Sequence, residues 1–333
     1  MRTTLIAVHP VNPEVSAVAS AVSVLRSGGL VAFPTETVYG LAADAFNVEA
    51  VKKVFVAKGR PADNPLIVHI SSLDMIAPVA AHVNATALKL ADAFWPGPLT
   101  LVLPARPEVP GVVTAGLETV AVRIPNHPVA NAMIRSFGRG IVAPSANLSG
   151  RPSPTTGKHV KDDMDGRIEM ILDAGPVLIG VESTVLDVTA NPPVILREGG
   201  LTREQIERVI GRITTTTETG MLRRSPGTRY RHYAPKARVI LVSPGNKEQF
   251  LDHVKKSEEL GKSVGSIVHS AALQTHKKQI ILSNDPVLFA KDLFGSLRAM
   301  DEQGVDVLIV EGIAELGIGA AVMERLRKAA EGY

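Results

Sequence analysis

The chain has 333 residues, of which 45% are hydrophobic and 21% are charged, as is typical of a globular protein with a sizeable core. It contains no cysteine, which excludes a disulfide framework, a thiolate nucleophile and a cysteine-bound zinc ion. The formal net charge of +3 is too small for this length to indicate a nucleic-acid partner by itself.

The N-terminal part predicts a helix and a buried strand. Residues 1–13 lack the apolar run of a signal peptide, and no run of about 18 uncharged apolar residues follows, so we expect a cytoplasmic protein without a membrane span. Apolar residues at helical spacing predict a helix over 14–28. The strand predicted over 30–33 stops at Pro34, where the polar run 35–37 begins.

The next part of the chain mixes helices and strands. A helix that carries Val51, Val54 and Phe55 is predicted to end at Lys58. Further helices are predicted near 86–94 and 128–137, and strands at 66–70, 99–103, 120–124, 140–143, 169–173, 183–188 and 194–197. Because the two types alternate without strict order, we expect a mixed-sheet α/β domain over residues 1–212.

A linker and a second domain follow. The threonine-rich run 214–220 is typical of a linker, and we expect residues 213–237 to form a linker or lid segment. Within it begins the segment 223–238, which holds six cations and no acidic residue. It could be a nucleic-acid strip, a lid over an anionic ligand or a solvated linker. The regular pattern over 238–333 predicts a small Rossmann-like parallel α/β domain, with strands at 238–242, 263–268, 279–282 and 305–310 and helices at 246–260, 286–303 and 318–330.

The segment 58–69 is the best candidate for a ligand-binding loop. Lys58 and Arg60 cannot both be buried cheaply, and the prolines around them favour a fixed loop geometry. A lysine offers phosphate a point charge, and an arginine offers it a planar fork. A second loop over 144–150 supplies hydroxyls and an amide. We interpret the two loops as halves of one nucleotide-phosphate site; a solvated charged loop and ordinary turn chemistry are the alternatives.

Polar residues also close buried strands elsewhere. His69 follows an apolar run and, taken alone, fits a hydrogen-bonded core histidine better than a ligand contact. Arg123 ends a buried run and needs an anionic partner, either a substrate carboxylate or a structural acid. The polar runs 35–37 and 182–184 lie at strand ends, where ligand sites in α/β sheets concentrate. Arg197, which closes another strand, is a further candidate for a phosphate or ring contact.

Together these stretches resemble the threonylcarbamoyl-AMP synthases of the two-domain type, which have a YrdC-like N-terminal domain. The combination of Lys-x-Arg with Ser-x-Asn is the hallmark of that family. The matching blocks cover almost the whole chain: Phe33–Leu41, Lys58–Arg60, Asn64–Leu66 with His69, Trp95–Thr100, Val122–Pro125, Pro144–Gly150, Glu182–Val185, Arg197–Gly199, Ser225–Gly227, His232–Pro235 and Ala320–Leu326.

The resemblance implies a nucleotidyltransferase that converts L-threonine, bicarbonate or carbon dioxide, and ATP to threonylcarbamoyl-AMP and pyrophosphate. The product would be used by a tRNA threonylcarbamoyl transferase in tRNA modification. We expect Mg²⁺ to arrive with ATP rather than on protein ligands, since the histidines form no metal-binding motif. The competing interpretations are a non-catalytic RNA-binding protein that uses segment 223–238 and a nucleotide-sensing regulator.

The resemblance also implies a role for individual residues. The catalytic, phosphate-binding residues would be Lys58, Arg60, Ser145 and Asn147. Further ATP contacts would come from Asn64, Thr119, Ser153, Arg197 and Tyr233, the last closing over the site. The threonine contacts would be Thr35, His69, Arg123, Ser183 and the backbone of Ala143.

Overall fold

A computed structural model describes residues 2–216, 219–222, 225, 232–273 and 278–331. The chain divides into two compact units. The first unit contains Met1–Ser149, Pro154–Leu178 and Glu182–Arg229. The second contains Tyr230–Tyr333 together with two short segments that interrupt the first unit in sequence, Gly150–Ser153 and Ile179–Val181. The predicted boundaries at 212 and 238 stay predictions, because most of residues 223–231 lie outside the described part.

One mixed sheet organises the first unit. Its eleven strands run in the order β1-β8-β2-β3-β7-β4-β6-β5-β9-β10-β11. They are β1 (Thr4–Ala7), β2 (Val31–Phe33), β3 (Gly40–Asp44), β4 (Ile67–His69), β5 (Leu99–Pro104), β6 (Thr119–Arg123), β7 (Ile141–Val142), β8 (Met170–Asp173), β9 (Thr184–Asp187), β10 (Val194–Arg197) and β11 (Thr214–Thr215). The helices are α1 (Val15–Arg26), α2 (Val48–Lys58), α3 (Ala85–Phe94), α4 (Gly111–Thr114), α5 (Pro128–Phe137), α6 (Gly157–Met164), α7 (Arg203–Ile210) and α8 (Thr219–Leu222).

The predicted fold class of this unit is confirmed, but the sequence did not indicate every strand. Strand β3 has the sequence Gly-Leu-Ala-Ala-Asp, which is poor in the β-branched and aromatic residues that favour strands. It is nevertheless buried throughout and pairs with β2 on one side and β7 on the other. Tertiary pairing therefore overrides a weak local preference at this position.

The two faces of the sheet are covered differently. Alternation along β6 places Val120 and Val122 in the main core, which includes residues of α2, α3, α4, α6 and α7. Helices α1 and α5 pack on the opposite face over β2, β3, β7 and β8. The rest of that opposite face carries a small apolar cluster, against which Met221 of α8 packs. We call it the central apolar cluster; its members are Ile67, Val102, Ala121, Val185, Val194 and Leu196.

The second unit is the predicted small parallel sheet with helices. Its strands run in the order β12-β15-β13-β14, and every pair is parallel. They are β12 (Arg238–Val242), β13 (Val264–Val268), β14 (Gln279–Ile281) and β15 (Val307–Glu311), and the helices are α9 (Lys247–Glu259), α10 (Pro286–Glu302) and α11 (Gly319–Ala330). None of the helices in the described part of the chain is both long and apolar enough to cross a membrane.

Candidate functional site

The two loops that the sequence pairs lie against each other. Helix α2 ends at Gly59, which adopts the left-handed conformation with φ 59°, and this places Lys58 at the start of the loop. The buried Nζ of Lys58 donates hydrogen bonds to the carbonyl oxygens of Ser145, at 2.5 Å, and Asn147, at 2.7 Å. In return, the backbone N–H of Ser149 donates to the carbonyl of Lys58 at 2.8 Å. Residues 87 positions apart thus form one contiguous surface.

This surface concentrates positive charge in a buried place. Burial lowers the pKa of Lys58 well below its ordinary value, and the neighbouring Arg60 cation lowers it further. The carboxylates of Asp163 and Glu182 act on the same pKa in the opposite direction. Because two adjacent buried cations are costly, the arrangement would gain stability from an anion such as a triphosphate.

The loop after Lys58 contains Asn64, whose side-chain amide has no hydrogen-bond partner among the described residues. Arg60 is buried, and its Nη2 donates to the carbonyls of Asn64, at 3.3 Å, and Pro65, at 3.1 Å, which folds the loop back. The side chain of Asn64 is fully buried, and neither its Oδ1 nor its Nδ2 finds a hydrogen-bond partner within the described residues. Leaving such a group unsatisfied costs about 1–3 kcal/mol, so the amide is suited to a ligand.

A second group of predicted residues surrounds Arg123. His69 and Arg123 are direct neighbours on the parallel strands β4 and β6. Arg123 is buried and donates from Nε to the carbonyl of Gly97, at 3.2 Å, and from Nη1 to Oγ1 of Thr37, at 3.0 Å. Its Nη2 lies 2.8 Å from Oε1 of Glu36. Of the two anionic partners that the sequence leaves open for Arg123, the protein itself supplies the acid.

His69 is a neutral imidazole. Burial and, next, the Arg123 cation lower the pKa of His69 to about 3. Its Nδ1 lies 3.2 Å from the carbonyl oxygen of Ile67 and must therefore carry the proton, which leaves Nε2 as a hydrogen-bond acceptor. His69 can accept a hydrogen bond from a ligand, while its predicted role in binding threonine stays a prediction.

Ser183 and Arg197 form a third contact. The Ser183 hydroxyl lies 2.8 Å from Oγ1 of Thr100. Nη2 of Arg197 donates to the carbonyl of Ser183 at 2.8 Å and to its hydroxyl at 3.2 Å. Arg197, predicted as an ATP contact, is thus bound directly to a residue predicted to contact threonine.

The strand register separates the predicted nucleotide and threonine contacts. Thr119 and Arg123 are the first and last residues of β6 and point to the same face, about 13 Å apart at roughly 3.3 Å per residue. Since β4 is parallel to β6, Asn64 precedes β4 at the Thr119 end, and His69 lies at the Arg123 end. Between the two ends this face carries Ala121 of the central apolar cluster. An amino acid joined to a nucleotide could span such a distance.

The backbone and hydroxyl groups of two other predicted threonine contacts are used locally. The Thr35 hydroxyl donates to the carbonyl of Val38 at 2.6 Å and accepts from the Thr37 and Val38 N–H groups. Ala143 donates its N–H to the carbonyl of Ile67 at 3.1 Å, so this N–H is already used within the sheet.

Two predicted ATP contacts belong to the second unit. Ser153 is buried there. Tyr233 has a left-handed backbone with φ 64°, and its buried ring stacks on Phe294 at 5.4 Å between centroids. The Arg325 guanidinium lies 5.1 Å from the centre of the same ring. The ATP contacts of Ser153 and Tyr233 stay predictions.

The structure describes only part of segment 223–238, for which the sequence leaves a nucleic-acid strip, a lid and a solvated linker open. Residues 223, 224 and 226–231 lie outside the described residues.

Within the described ranges, no group of three or more histidine, aspartate or glutamate side chains is arranged to hold a metal ion.

The sequence marks Glu36 and Thr37 only as members of a polar run at a strand end and gives Thr100 no separate role, although all three contact predicted site residues. Thr100 could have been noticed as a hydroxyl inside an otherwise apolar strand. Glu36 and Thr37 follow a buried strand, but nothing local to them identifies Arg123 as their partner.

Comparisons with known proteins show which family the chain belongs to. The family model of the Sua5, YciO and YrdC proteins, described as telomere recombination, matches residues 23–199, and the model of the threonylcarbamoyl-AMP synthase C-terminal domain matches residues 201–331. A threonylcarbamoyl-AMP synthase of Pyrococcus abyssi (strain GE5 / Orsay) is 50% identical over 324 residues, 94% of this chain and 93% of that protein. One from Bacillus subtilis (strain 168) is 46% identical over 329 residues, 95% and 93% of the two chains. The crystal structure of P. abyssi Sua5 complexed with L-threonine matches with a TM-score of 0.94 and 47% identity over 98% of each chain. The chain therefore belongs to the two-domain threonylcarbamoyl-AMP synthase family, as its motifs predict.

Proposed function

We propose that this protein is an L-threonylcarbamoyladenylate synthase, which converts L-threonine, bicarbonate or carbon dioxide, and ATP to threonylcarbamoyl-AMP and pyrophosphate. The observation that carries the proposal is the direct contact of the Lys58 loop with the Ser145–Asn147 loop, on a sheet that also positions His69 and Arg123. The L-threonine bound to the P. abyssi relative gives the amino-acid substrate.

The cationic loops bind the triphosphate in this proposal. Lys58 and Arg60 lie beside the phosphate oxygens, and Ser145 and Asn147 add a hydroxyl and an amide. The buried, unpartnered amide of Asn64 contacts the nucleotide. The remaining ATP contacts are Thr119, Ser153, Arg197 and Tyr233.

Threonine occupies the other end of the face. The neutral His69 accepts a hydrogen bond at Nε2, and Arg123 pairs with the threonine carboxylate. Ser183, Thr35 and the backbone of Ala143 are the other contacts.

The reaction is a nucleotidyl transfer between two bound substrates. The carbamate oxygen of N-carboxythreonine attacks the α-phosphorus of ATP, the bond to pyrophosphate breaks, and the AMP group is transferred. The protein contributes alignment of the two substrates and positive charge beside the leaving pyrophosphate. Mg²⁺ brought by the ATP would supply further charge neutralisation at the phosphates. The product is the activated intermediate for a tRNA threonylcarbamoyl transferase.

Pyrophosphate release tests this function. Purified protein should release pyrophosphate from ATP only when threonine and bicarbonate are both present. Lys58→Met should reduce that rate at least about 100-fold, as is typical for loss of one group that stabilises charge in a transition state. Lys52→Met is the matched control, because Lys52 lies on the same helix, is largely exposed and should tolerate the change.

Two outcomes would contradict the proposal. One is the absence of pyrophosphate release with any amino acid. The other is salt-sensitive RNA binding that survives the Lys58 change without ATP turnover, which would favour the RNA-binding interpretation.

A further inference from the structure

Glu36 is a buried carboxylate that has no role in the proposed reaction as described above. It follows strand β2, is 3% exposed and lies 2.8 Å from Nη2 of Arg123. Apart from this ion pair, neither carboxylate oxygen accepts a hydrogen bond from the described residues. An ionised carboxylate has about four acceptor positions, so most of the capacity of Glu36 is unused.

The ion pair is held in place from the arginine side. Arg123 is fixed by its hydrogen bonds to Gly97 and Thr37, and it is the neighbour of His69 across β4 and β6. Glu36 therefore lies next to two residues of the predicted threonine site, at a fixed distance from the guanidinium.

The charges of this group complement an amino acid. The guanidinium of Arg123 pairs with the carboxylate of Glu36 at 2.8 Å, and the imidazole of His69 beside them is uncharged. Threonine carries one carboxylate and one ammonium group. A site with Arg123 alone would pair the carboxylate but bury the ammonium without a partner, which is costly. The Arg123–Glu36 pair provides a partner for both groups.

We propose that Glu36 binds the ammonium group of threonine and accepts its proton, a role that rests on the proposed function. Transfer of one proton from nitrogen to the carboxylate frees the lone pair of the amine. The nitrogen then forms a bond to the carbon of carbon dioxide, and the second proton leaves the nitrogen to water. The resulting carbamate carries one negative charge, and Glu36 returns its proton to solvent before the next cycle.

The other titratable groups near Glu36 do not compete for this role. His127 caps the start of helix α5. Its Nδ1 accepts a hydrogen bond from the N–H of Val129 at 3.2 Å, so this ring nitrogen is already occupied. Burial lowers the pKa of His127, and the Glu36 charge acts in the opposite direction. His69 is neutral, and Arg123 does not lose its proton in proteins. Glu36 is the carboxylate that pairs with Arg123.

Kinetics in both directions test the role. With Glu36→Gln, kcat/KM for threonine should fall by about 100-fold or more near pH 7.5, the typical contribution of a general base. The deficit should shrink steadily as the pH approaches the pKa of free threonine's amine, where solution supplies the unprotonated nucleophile. The reverse reaction, ATP formation from threonylcarbamoyl-AMP and pyrophosphate, needs no amine deprotonation and should stay within about threefold of wild type.

Binding separates this role from a structural one. Glu36→Gln should weaken threonine binding, measured by calorimetry, and leave unchanged the binding of 2,3-dihydroxybutanoate, in which a hydroxyl replaces the ammonium group. Thr37→Val is the matched control, because it removes another partner of Arg123 but keeps the Glu36 charge. It should keep the wild-type pH profile, and Glu36→Asp should restore that profile at a lower rate.

Equal losses in both directions with an unchanged pH profile would overturn the proposal and make Glu36 a support for Arg123. Failure of the proposed function would look different, because the wild-type protein would then release no pyrophosphate with threonine.

Discussion

His69 shows how far burial changes a single residue. The pKa of about 3 means that the folded protein holds the ring neutral across the physiological range. The unfolded chain, with an ordinary histidine pKa of 6.5, binds a proton that the folded state does not bind between about pH 6.5 and 3. Stability must therefore fall as the pH decreases through this window.

A substitution at His69 makes this measurable. Urea unfolding should show that His69→Gln loses part of the acid sensitivity of the wild type, up to about 1.4 kcal/mol per pH unit between pH 6 and 4. His82→Gln is the matched control, because it also replaces an imidazole with an amide but at an exposed position. Identical pH dependence of the wild type and His69→Gln would contradict the assigned neutral state.

Residue chemistry also explains which parts of the site the sequence could predict. Lys58 and Arg60 could be predicted as site residues, because burying two cations of a proline-rich loop in a core would be costly. The role of Glu36 could not be predicted, because an acidic residue after a strand is common and its partner Arg123 lies far along the chain. Local chemistry was enough to predict the two loops as candidate phosphate-binding loops, whereas the Arg123–Glu36 ion pair depends on the fold.

At the scale of elements, the sequence predicts single strands better than their arrangement. Strands β4 and β6 are apolar runs and were expected at nearly their observed positions. Their parallel pairing, which puts His69 beside Arg123, depends on a register between distant segments and has no local pattern. The sequence pattern does not predict the short α4 or the alanine-rich β3, because burial rather than intrinsic helix or strand propensity stabilises them.

Three strands of the second unit meet at one carboxylate. Glu311 ends β15, and its buried side chain accepts hydrogen bonds from the N–H groups of Gly245 and His269, both at 2.8 Å, and of Ser270, at 2.9 Å. Burial raises the pKa of Glu311, but the hydrogen bonds from Ser270, His269 and Gly245 outweigh it, so the net pKa lies below the ordinary value of 4.5. The acid joins the carboxyl ends of β12, β13 and β15.

Glu311→Gln should destabilise the protein by about 2–3 kcal/mol, because the amide places an N–H₂ group against backbone N–H donors. Since the native pKa is lowered, the stabilisation by Glu311 is present above pH 4.5 and is lost as the pH falls below it. Denaturant unfolding at pH 7 and pH 4 measures both effects. Glu315→Gln, which removes an exposed ion pair with Arg327, should destabilise the protein by less than about 1 kcal/mol. Equal destabilisation by Glu311→Gln and Glu315→Gln would contradict the proposed role of Glu311 in connecting the three strand ends.

At the scale of the whole molecule, the two units are not consecutive in sequence. Two short segments that interrupt the first unit in sequence belong to the second unit, and both contact helix α10. Nη2 of the buried Arg298 donates to the carbonyl of Pro152 at 2.6 Å. Gly180, with φ 87°, approaches α10 so closely that a Cβ atom would lie 2.4 Å from the carbonyl oxygen of Ala290. The segment 150–153 directly follows the loop that contains Ser145 and Asn147, so α10 fixes one end of that loop through the chain.

Amide hydrogen exchange on the full chain can test this coupling. Arg298→Met removes a hydrogen bond from a charged donor, worth about 1.5–3 kcal/mol, so exchange at Gly150, Arg151 and Ser153 should accelerate on the order of 10-fold or more. The segment 179–181 is the internal control, because it packs on the backbone of α10 and not on the Arg298 hydrogen bond. Threonine-dependent pyrophosphate release should fall together with the lost protection, because the phosphate loop loses its downstream anchor. Unchanged exchange at 150–153 would show that α10 does not hold the loop, and the C-terminal unit would then need another explanation.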